Sequence, residues 1–166
     1  IAGKKIRYDF FNTLVKQNNF NKIATAHNAD DNTETVFLNL IKGTGLKGIA
    51  GIPVRRENII RPVLCLSKFE ILEYLEANQF EYRIDESNLS NEYERNFLRN
   101  EIIPLIRKNL NPALDSAVLN TSINLQKLVS ELDKKSLDFE KELKCKKNNY
   151  LAIPVSLINL NSSGLS

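Results

Sequence analysis

Apolar side chains recur at helical intervals in the first part of the chain. Every fourth residue from Ile6 to Leu14 is apolar, which predicts a helix over residues 6–18. A short β-prone run at residues 23–26 follows an Asn-rich turn and predicts a buried strand. The pattern of DDNTETVFLNLIK then predicts a second helix, which Gly43 closes. The order helix, strand, helix indicates an α/β layer with a parallel sheet.

The middle of the chain repeats this alternation of strand and helix signals. The apolar run IIRPVL predicts another short strand. Ser67 and Glu70 form the S-x-x-E capping pattern ahead of a predicted helix. A loop with the letters RIDESN follows, and a further helical stretch is predicted from about Tyr93 to Lys108. These segments extend the predicted α/β layer.

The pattern changes in the last third of the chain. The inward positions from Leu114 to Leu132 are spaced alternately by four and by three, which predicts a helix packed lengthwise against another. This helix is predicted to reach about Lys144. Because such a rod does not fit a compact sheet layer, we predict two domains, residues 1–106 and residues 107–166.

Composition narrows the class of protein. The 166 residues are 42% hydrophobic and 26% charged, which is typical of a globular protein. No apolar run reaches the roughly 18 residues that a membrane span needs, so a cytoplasmic protein with no membrane partner is expected. A net charge of +3 permits RNA binding without requiring it. Cys65 and Cys145 form no CxxC pair, so neither a zinc ribbon nor a redox motif is indicated.

The stretch HNADDNTE, residues 27–34, concentrates negative charge at the start of a predicted helix. Glu34 falls on the apolar side of that helix. A carboxylate there must be paired, hydrogen-bonded or facing a crevice, because burying an isolated charge is unfavourable. Asp30 and Asp31 lie within one turn of Glu34, and like charges at that spacing repel one another. The cluster therefore needs a positively charged partner to be stable.

Two explanations of this stretch stay open on spacing alone. Asn28 is a good N-cap, and acids in a first helical turn interact favourably with the helix dipole. That explanation covers Asp30 and Asp31 better than it covers Glu34. The other explanation is a site for a cation or an amine. A metal site that includes His27 is less favoured, because no second His or Cys completes a ligand set, and we predict no metal ligands.

Two further motifs admit plain structural explanations. The letters GTGLKG match the G-x-G-x-x-G dinucleotide fingerprint, but a helix precedes them where the fingerprint requires a strand, so we interpret them as a turning loop. Arg95 and Arg99 lie four apart on one helical face, where they could grip phosphates. The alternative is an exposed face whose charge is neutralised by Glu92, Glu94 and Glu101.

Taken in order, these segments resemble the tRNA(Ile)-lysidine synthetase family of PP-loop ATPases. The matching segments lie between residues 4 and 104 and read KIRYDFF, ATAHNADDNTETVFLNLIKGTGLKGIAGIP, IIRPVL, SKFEILEYL, DESN and RNFLRNEIIP. The resemblance implies an α/β fold. It implies the second half of a parallel-sheet PP-loop ATPase domain, of the adenine nucleotide alpha hydrolase type, followed by the start of a helical tRNA-binding domain.

The resemblance also implies an activity. A ligase of this family modifies the wobble cytidine in the CAU anticodon of an isoleucine tRNA. ATP adenylates the C2 oxygen of the base, and the ε-amine of free lysine then displaces AMP. ATP, Mg²⁺, free L-lysine and this tRNA are the implied cofactors and partners, and a homodimer is left open.

By the same resemblance, Asp31 and Glu34 bind the lysine ammonium through charge-assisted hydrogen bonds, and one of them helps to remove its proton. His27 and Asp30 match the same block. The resemblance places His27 with the catalytic residues and Asp30 with the substrate-binding residues. Arg7 matches the arginine of the family's RY pair and is implied to lie near the ATP phosphates.

Arg95, Asn96 and Arg99 match the family's RNR segment and are implied to lie on the tRNA side of the site. Two departures limit the resemblance. The family commonly has His-His where this chain has His27-Asn28, and the Ser-Gly-Gly-x-Asp-Ser loop that cradles ATP phosphates in the family is absent. We therefore expect a fragment that does not adenylate its substrate by itself.

Two other functions stay open at this point. A thiolating tRNA enzyme of the same superfamily would use cysteine pairs, which this sequence lacks. A non-catalytic RNA-binding fragment would use Asp30 and Asp31 as helix-capping acids alone. The substitution Glu34→Gln separates the alternatives, since a lysine site predicts loss of ligation with an intact fold and a scaffold predicts no change.

Overall fold

The computed structural model describes residues 2–83 and 94–142 as a mixed α/β fold with a small sheet. In chain order its elements are α1 (Ala2–Gln17), β1 (Ile23–Ala24), α2 (Ala29–Ile41), α3 (Leu46–Ile49), β2 (Arg55–Arg56), β3 (Ile59–Ile60), α4 (Lys68–Ala77), α5 (Glu94–Phe97), a π-helical turn (Leu98–Ile102), α6 (Ile103–Asn109) and α7 (Leu114–Glu142). The predicted helices and strands up to residue 77 are confirmed, and β2 was not predicted. The DESN letters, Tyr93, Lys144 and Cys145 lie outside the described residues.

The sheet has the strand order β1-β3-β2. Strand β1 is parallel to β3, with Ile23 opposite Ile59 and Ala24 opposite Ile60. The predicted parallel pairing is therefore confirmed. Strand β2 is antiparallel to β3. A two-residue turn joins them and contains Glu57 at a positive φ of 57°.

Side-chain caps fix where the helices begin. Helix α2 starts with a capping box in which the Asn28 side chain accepts from the Asp31 backbone N–H and the Asp31 carboxylate accepts from the Asn28 backbone N–H. Ser67 and Glu70 form the same arrangement at α4, as the S-x-x-E pattern predicted. Gly43, with φ of 65°, follows the end of α2.

The loop after α2 turns, as the glycine pattern predicted, and it includes the short helix α3. Gly51 has φ of 69° and passes close to Asn32. A Cβ atom at Gly51 would lie 2.3 Å from the Asn32 Oδ1 atom, so a side chain does not fit there. The same Oδ1 atom accepts a hydrogen bond from the Ile52 backbone N–H at 2.8 Å. Asn32 thus holds the loop against α2.

The main apolar cluster lies where the π-helical turn and α6 meet the start of α7. Leu98, Ile103 and Leu114 are its buried members. Hydrophobic side chains of α2, including Phe37 and Leu38, pack against them. The helical stretch predicted to reach Lys108 is confirmed, with a π-helical turn in its middle.

The predicted long helix is also confirmed as α7, whereas its lengthwise packing against another helix stays a prediction. The first compact unit of the chain runs to residue 126, and the second covers residues 127–166. The division between these compact units falls inside α7, and the domain boundary predicted at residue 106 stays a prediction. The reason is that the first turns of α7 pack on the α/β layer: Ser122 is buried and accepts from Asn32 Nδ2 at 3.1 Å, and Gln126 donates to the Ala50 carbonyl at 2.8 Å.

Within the described ranges, no helix is both long enough and apolar enough to cross a membrane.

Candidate functional site

A cavity of about 600 Å³ opens beside the carboxyl end of strand β1. Its lining residues come from three parts of the first compact unit: α1, the end of β1 with the segment that follows it, and the paired helices α2 and α5. They are Arg7, Tyr8, Phe11, Ala24, Thr25, Ala26, His27, Asp31 and Arg95. Ligands of open α/β sheets bind outside the carboxyl ends of the strands, so this is the expected position for a site.

Asp31 is both a helix-capping residue and a wall of the cavity. Its Oδ2 atom accepts from the Asn28 backbone N–H at 3.1 Å, which completes the capping box. Its Oδ1 atom accepts from Arg95 Nη2 at 3.0 Å. The two explanations that the sequence left open, capping and a cationic partner, therefore both hold for this carboxylate.

Glu34 lies one turn further along α2 and is enclosed. Its side chain is 2% exposed. It accepts from Arg95 Nε at 2.6 Å, from Arg99 Nε at 2.5 Å and from Arg99 Nη2 at 2.9 Å. Glu34 does not line the cavity beside Asp31, because α5 and the π-helical turn place two guanidinium groups over it. A buried carboxylate on the apolar side of α2 has the pairing that its position requires.

Arg95 and Arg99 share a helical face, as their spacing predicts. Their partners, however, are the carboxylates of α2, whereas Glu94 on their own helix forms an ion pair with Lys42. Hydrogen bonding to Glu34 raises the pKa of Arg99 above its ordinary value, and the charges of Glu34, Asp31 and Asp30 add to this in spite of partial burial. We call Asp31, Glu34, Arg95 and Arg99 the site cluster. Its arginines hold carboxylates in this structure, and phosphate binding, one of the two alternatives that the sequence left open, stays a prediction.

Asp30 belongs to a different network. Its Oδ2 atom accepts from the Lys68 backbone N–H at 2.7 Å, at the start of α4, and its Oδ1 atom accepts from Arg107 Nη2 at 2.7 Å. Arg107 Nη2 also donates to Asp115 at 2.8 Å, and Asp115 accepts from the Thr33 hydroxyl at 2.6 Å. We call Asp30, Thr33, Arg107 and Asp115 the tether, because they join α2, α4, α6 and α7.

In this structure the tether gives Asp30 a role in joining helices, and its contact with substrate stays a prediction. Asp30 is not among the residues that line the cavity, and both of its carboxylate oxygens are engaged by protein donors. Burial disfavours the charged form of Arg107, but its hydrogen bond to Asp115 and the nearby carboxylates raise its pKa overall. Arg107 therefore stays a cation between two acids, and the network is structural.

The remaining predicted residues divide between the cavity and its surroundings. His27 lines the cavity, and its Nδ1 atom lies 3.0 Å from the Thr25 hydroxyl. Arg7 lines the cavity from α1. Asn96 is partly buried in α5 and is not among the lining residues.

Sequence reasoning missed several residues that the fold brings to these places. Tyr8 and Phe11 line the cavity beside Arg7, and the available signal was that Phe11 lies four residues from Arg7 and three from Tyr8 on α1. Arg107 and Asp115 complete the tether. They lie about eighty residues from Asp30 in sequence, and no local pattern connects them.

Comparisons with known proteins agree with this architecture. A family model described as a PP-loop domain matches residues 1–106. The tRNA(Ile)-lysidine synthase of Clostridium tetani is 40% identical over 145 residues, which is 87% of this chain and 30% of that protein. The protein of the same name from Porphyromonas gingivalis is 40% identical over 87% of this chain and 32% of its own length.

A third relative, the tRNA(Ile)-lysidine synthase of Thermosipho africanus, is 39% identical over 158 residues. That match covers 92% of this chain and 37% of the relative. The chain thus spans about a third of the length of the curated relatives it matches.

Proposed function

This chain belongs to the PP-loop domain family, and on that premise we propose that it is the part of a tRNA(Ile)-lysidine ligase that holds the amino-acid substrate. In this proposal the chain supplies the second half of the PP-loop ATPase domain, and residues 107–166 begin a helical tRNA-binding domain. ATP adenylates the C2 oxygen of the wobble cytidine in the CAU anticodon and releases diphosphate. The ε-amine of free lysine then attacks C2 and displaces AMP.

The observation that carries the proposal is the carboxylate of Asp31 in the wall of the cavity. A lysine ammonium is bound well by a carboxylate, and it becomes a nucleophile only after it loses a proton. Asp31 offers both the charge for binding and an acceptor for that proton. His27 lines the same cavity and is the second group able to accept it.

Glu34 and Arg99 act in this proposal through their neighbours. Because Glu34 is enclosed by two guanidinium groups, it does not touch a ligand in the cavity. It fixes the position of Arg95, which does line the cavity. We therefore assign Glu34 and Arg99 as positioning residues, and Arg95 as a residue that meets the substrate. A contact of Asn96 with the tRNA remains a prediction of the family resemblance.

The cavity also carries a group suited to a nucleotide. Arg7 presents a guanidinium from α1, and guanidinium groups bind phosphate oxygens well. In the proposed enzyme Arg7 would hold ATP phosphates, and Mg²⁺ would reach the site with those phosphates. The proposal also includes an isoleucine tRNA as the partner and a cytoplasmic location.

The test is incorporation of labelled lysine by the full-length protein that carries this chain. The reaction contains ATP, Mg²⁺, labelled L-lysine and an isoleucine tRNA transcript with the CAU anticodon. The expected result is label in the tRNA, with AMP released in equal amount. The matched control is the same transcript with uridine at the wobble position, which should stay unlabelled. Absence of label in the cytidine transcript, or equal label in both, would contradict the proposal.

A further inference from the structure

Arg61 is a buried arginine that belongs neither to the site cluster nor to the tether. It directly follows β3 and is 8% exposed. Its Nη1 atom donates to the Pro53 carbonyl at 2.6 Å, whereas its Nε atom is buried without a hydrogen-bond partner. Among the residues that the structure describes, no carboxylate forms an ion pair with it. Because a buried charge without a counter-ion is unfavourable, this guanidinium is suited to receive an anion.

The unpaired part of the Arg61 guanidinium is an edge that fits an oxyanion. Arginine binds phosphates and carboxylates through two parallel N–H groups, and Nε with Nη2 forms one such edge. The contact with Pro53 uses Nη1, which leaves the Nε–Nη2 edge unpaired within the described part of the chain. A hydrogen bond to a charged oxygen is roughly twice as strong as one to a neutral carbonyl. A small outward rotation of the side chain towards a phosphate therefore replaces a weaker contact by a stronger one.

Arg61 lies beside the cavity, at the carboxyl edge of the parallel strand pair. Ala24 of β1 is opposite Ile60 of β3, and the Thr25 backbone N–H donates to the Ile60 carbonyl at 3.0 Å. Ala24 and Thr25 line the cavity, whereas Arg61 does not. Arg61 is thus next in sequence to the residue that Thr25 contacts. A ligand that fills the cavity and extends beyond it across β3 comes close to Arg61.

This position fits the backbone of an RNA whose base occupies the cavity. In the proposed reaction the target base enters the cavity, and its sugar–phosphate backbone stays outside. A free nucleotide that lies within the cavity meets the lining residues instead. Two exposed arginines, Arg55 and Arg56, lie on β2, which pairs with β3 on the side away from β1. Several positive charges along one edge favour a polyanion over a single small anion.

We propose that Arg61 is a phosphate anchor for the RNA strand whose base enters the cavity. Its Nε–Nη2 edge binds one backbone phosphate beside that base, while Arg55 and Arg56 add attraction that does not depend on the RNA sequence. This inference rests on the proposed function and deepens it, because it names where the RNA backbone passes over the sheet. Arg61 therefore contributes to the affinity for RNA and not to the binding of lysine.

The first measurement is the Kd of the full-length protein for the cytidine transcript over a series of salt concentrations. Arg61→Gln should raise Kd by about ten- to a hundredfold, which is the range for one charge-assisted contact. It should also reduce the slope of log affinity against log salt by about one. KM for lysine and KM for ATP should stay within about threefold of wild type. Arg61→Lys keeps the charge without the fork and should recover part of the affinity.

The matched control is Arg83→Gln, which removes an exposed arginine after α4 and should change neither Kd nor the salt slope.

A second measurement locates the contact on the RNA. Synthetic anticodon stem-loops carry a neutral methylphosphonate at one or the other of the two phosphates that flank the wobble cytidine. For the wild-type protein, one of these two RNAs should bind about tenfold more weakly than the unmodified stem-loop. Arg61→Gln should show no further loss with that RNA, because the partner of the phosphate is already gone. Arg61→Lys should show a smaller loss than wild type.

The outcomes separate the two proposals. Wild-type protein that attaches no lysine to the cytidine transcript would overturn the proposed function. Protein that attaches lysine but keeps its RNA affinity in Arg61→Gln would overturn the phosphate anchor alone. A rise confined to KM for ATP would also overturn it and would assign the anion to the nucleotide. If Arg61→Gln does not fold by circular dichroism, no loss with either modified stem-loop in wild type, or an equal loss in Arg61→Lys, would overturn the anchor.

Discussion

The site cluster and the tether are built from the same kinds of side chain, and their acids are neighbours in sequence. Asp31 in the site cluster lines a cavity, and its arginine partner lines it too. Asp30 in the tether binds Arg107 and the first backbone N–H of α4. Successive residues of a helix point about 100° apart, so one acid faces the cavity and the other faces the neighbouring helices.

This comparison shows that acidic residues at a helix start do not share one role. The site cluster has an ion pair, Asp31–Arg95, that lines the cavity, whereas Asp30 and Arg107 of the tether do not line it. Substitutions in the tether should therefore lower the free energy of unfolding. Substitutions of Asp31 or Arg95, the exposed pair of the site cluster, should mainly lower lysine-dependent turnover. The variants below test this division, from the largest expected change in stability to the smallest.

The largest effect is expected for Glu34→Gln. Glu34 is enclosed, so loss of its charge leaves two guanidinium groups short of a counter-ion, and we now expect a destabilised fold where the sequence alone predicted an intact one. The free energy of unfolding should fall by about 3 kcal/mol, as measured by urea unfolding. Glu73→Gln, at an exposed position of α4, is the matched control and should change it little. A loss for Glu34→Gln no larger than the control's would contradict the enclosed pairing.

In the tether, Arg107→Gln should lower the free energy of unfolding by less than Glu34→Gln does. Asp30 and Asp115 each lose a charged donor, and the side chain of Arg107 is partly exposed, so the expected decrease is about 1–3 kcal/mol. KM for lysine in the full-length protein should stay within about threefold of wild type. A large rise in KM with unchanged stability would show that the tether belongs to the site.

Asp31→Asn should destabilise the fold less than either change. The asparagine side chain keeps an oxygen that accepts from the Asn28 backbone N–H, so the capping box survives. The expected loss is about 1 kcal/mol, measured by the same urea unfolding. A loss equal to that of Glu34→Gln would mean that the two carboxylates are equally enclosed.

The smallest effect is expected for Lys42→Gln. Lys42 pairs with Glu94 at the surface, where both side chains are more than half exposed. Such pairs contribute little, so the free energy of unfolding should change by no more than about 0.5 kcal/mol. Thermal unfolding in low and high salt gives a second measure of the contribution of this ion pair. A decrease in the free energy of unfolding of more than about 1 kcal/mol would contradict its assignment as an exposed pair.

Local patterns predicted much of the fold. Short-range spacing predicted the N-cap at Asn28, the capping box at Ser67, the parallel pairing of β1 and the long helix α7. Strand β2 was missed because two residues carry no periodic signal. The π-helical turn was missed because the apolar spacing of residues 98–106 also fits an ordinary helix.

The site was predicted less completely because its partners lie far apart in sequence. The sequence showed that Glu34 needs a partner, but it did not show that Arg95 and Arg99, more than sixty residues away, supply it. It also could not separate the roles of Asp30 and Asp31, since both are acids in a first helical turn. That separation depends on which tertiary neighbour faces each side of α2.

The most direct test replaces each of these two adjacent acids by its amide in the full-length protein and measures lysine-dependent turnover beside the thermal midpoint. We predict that Asp31→Asn lowers kcat/KM for lysine by about a hundredfold or more with a small change in midpoint. Asp30→Asn should lower the midpoint and leave KM for lysine within about threefold of wild type. The reverse pattern, or equal losses of turnover in both variants, would contradict the division between site cluster and tether.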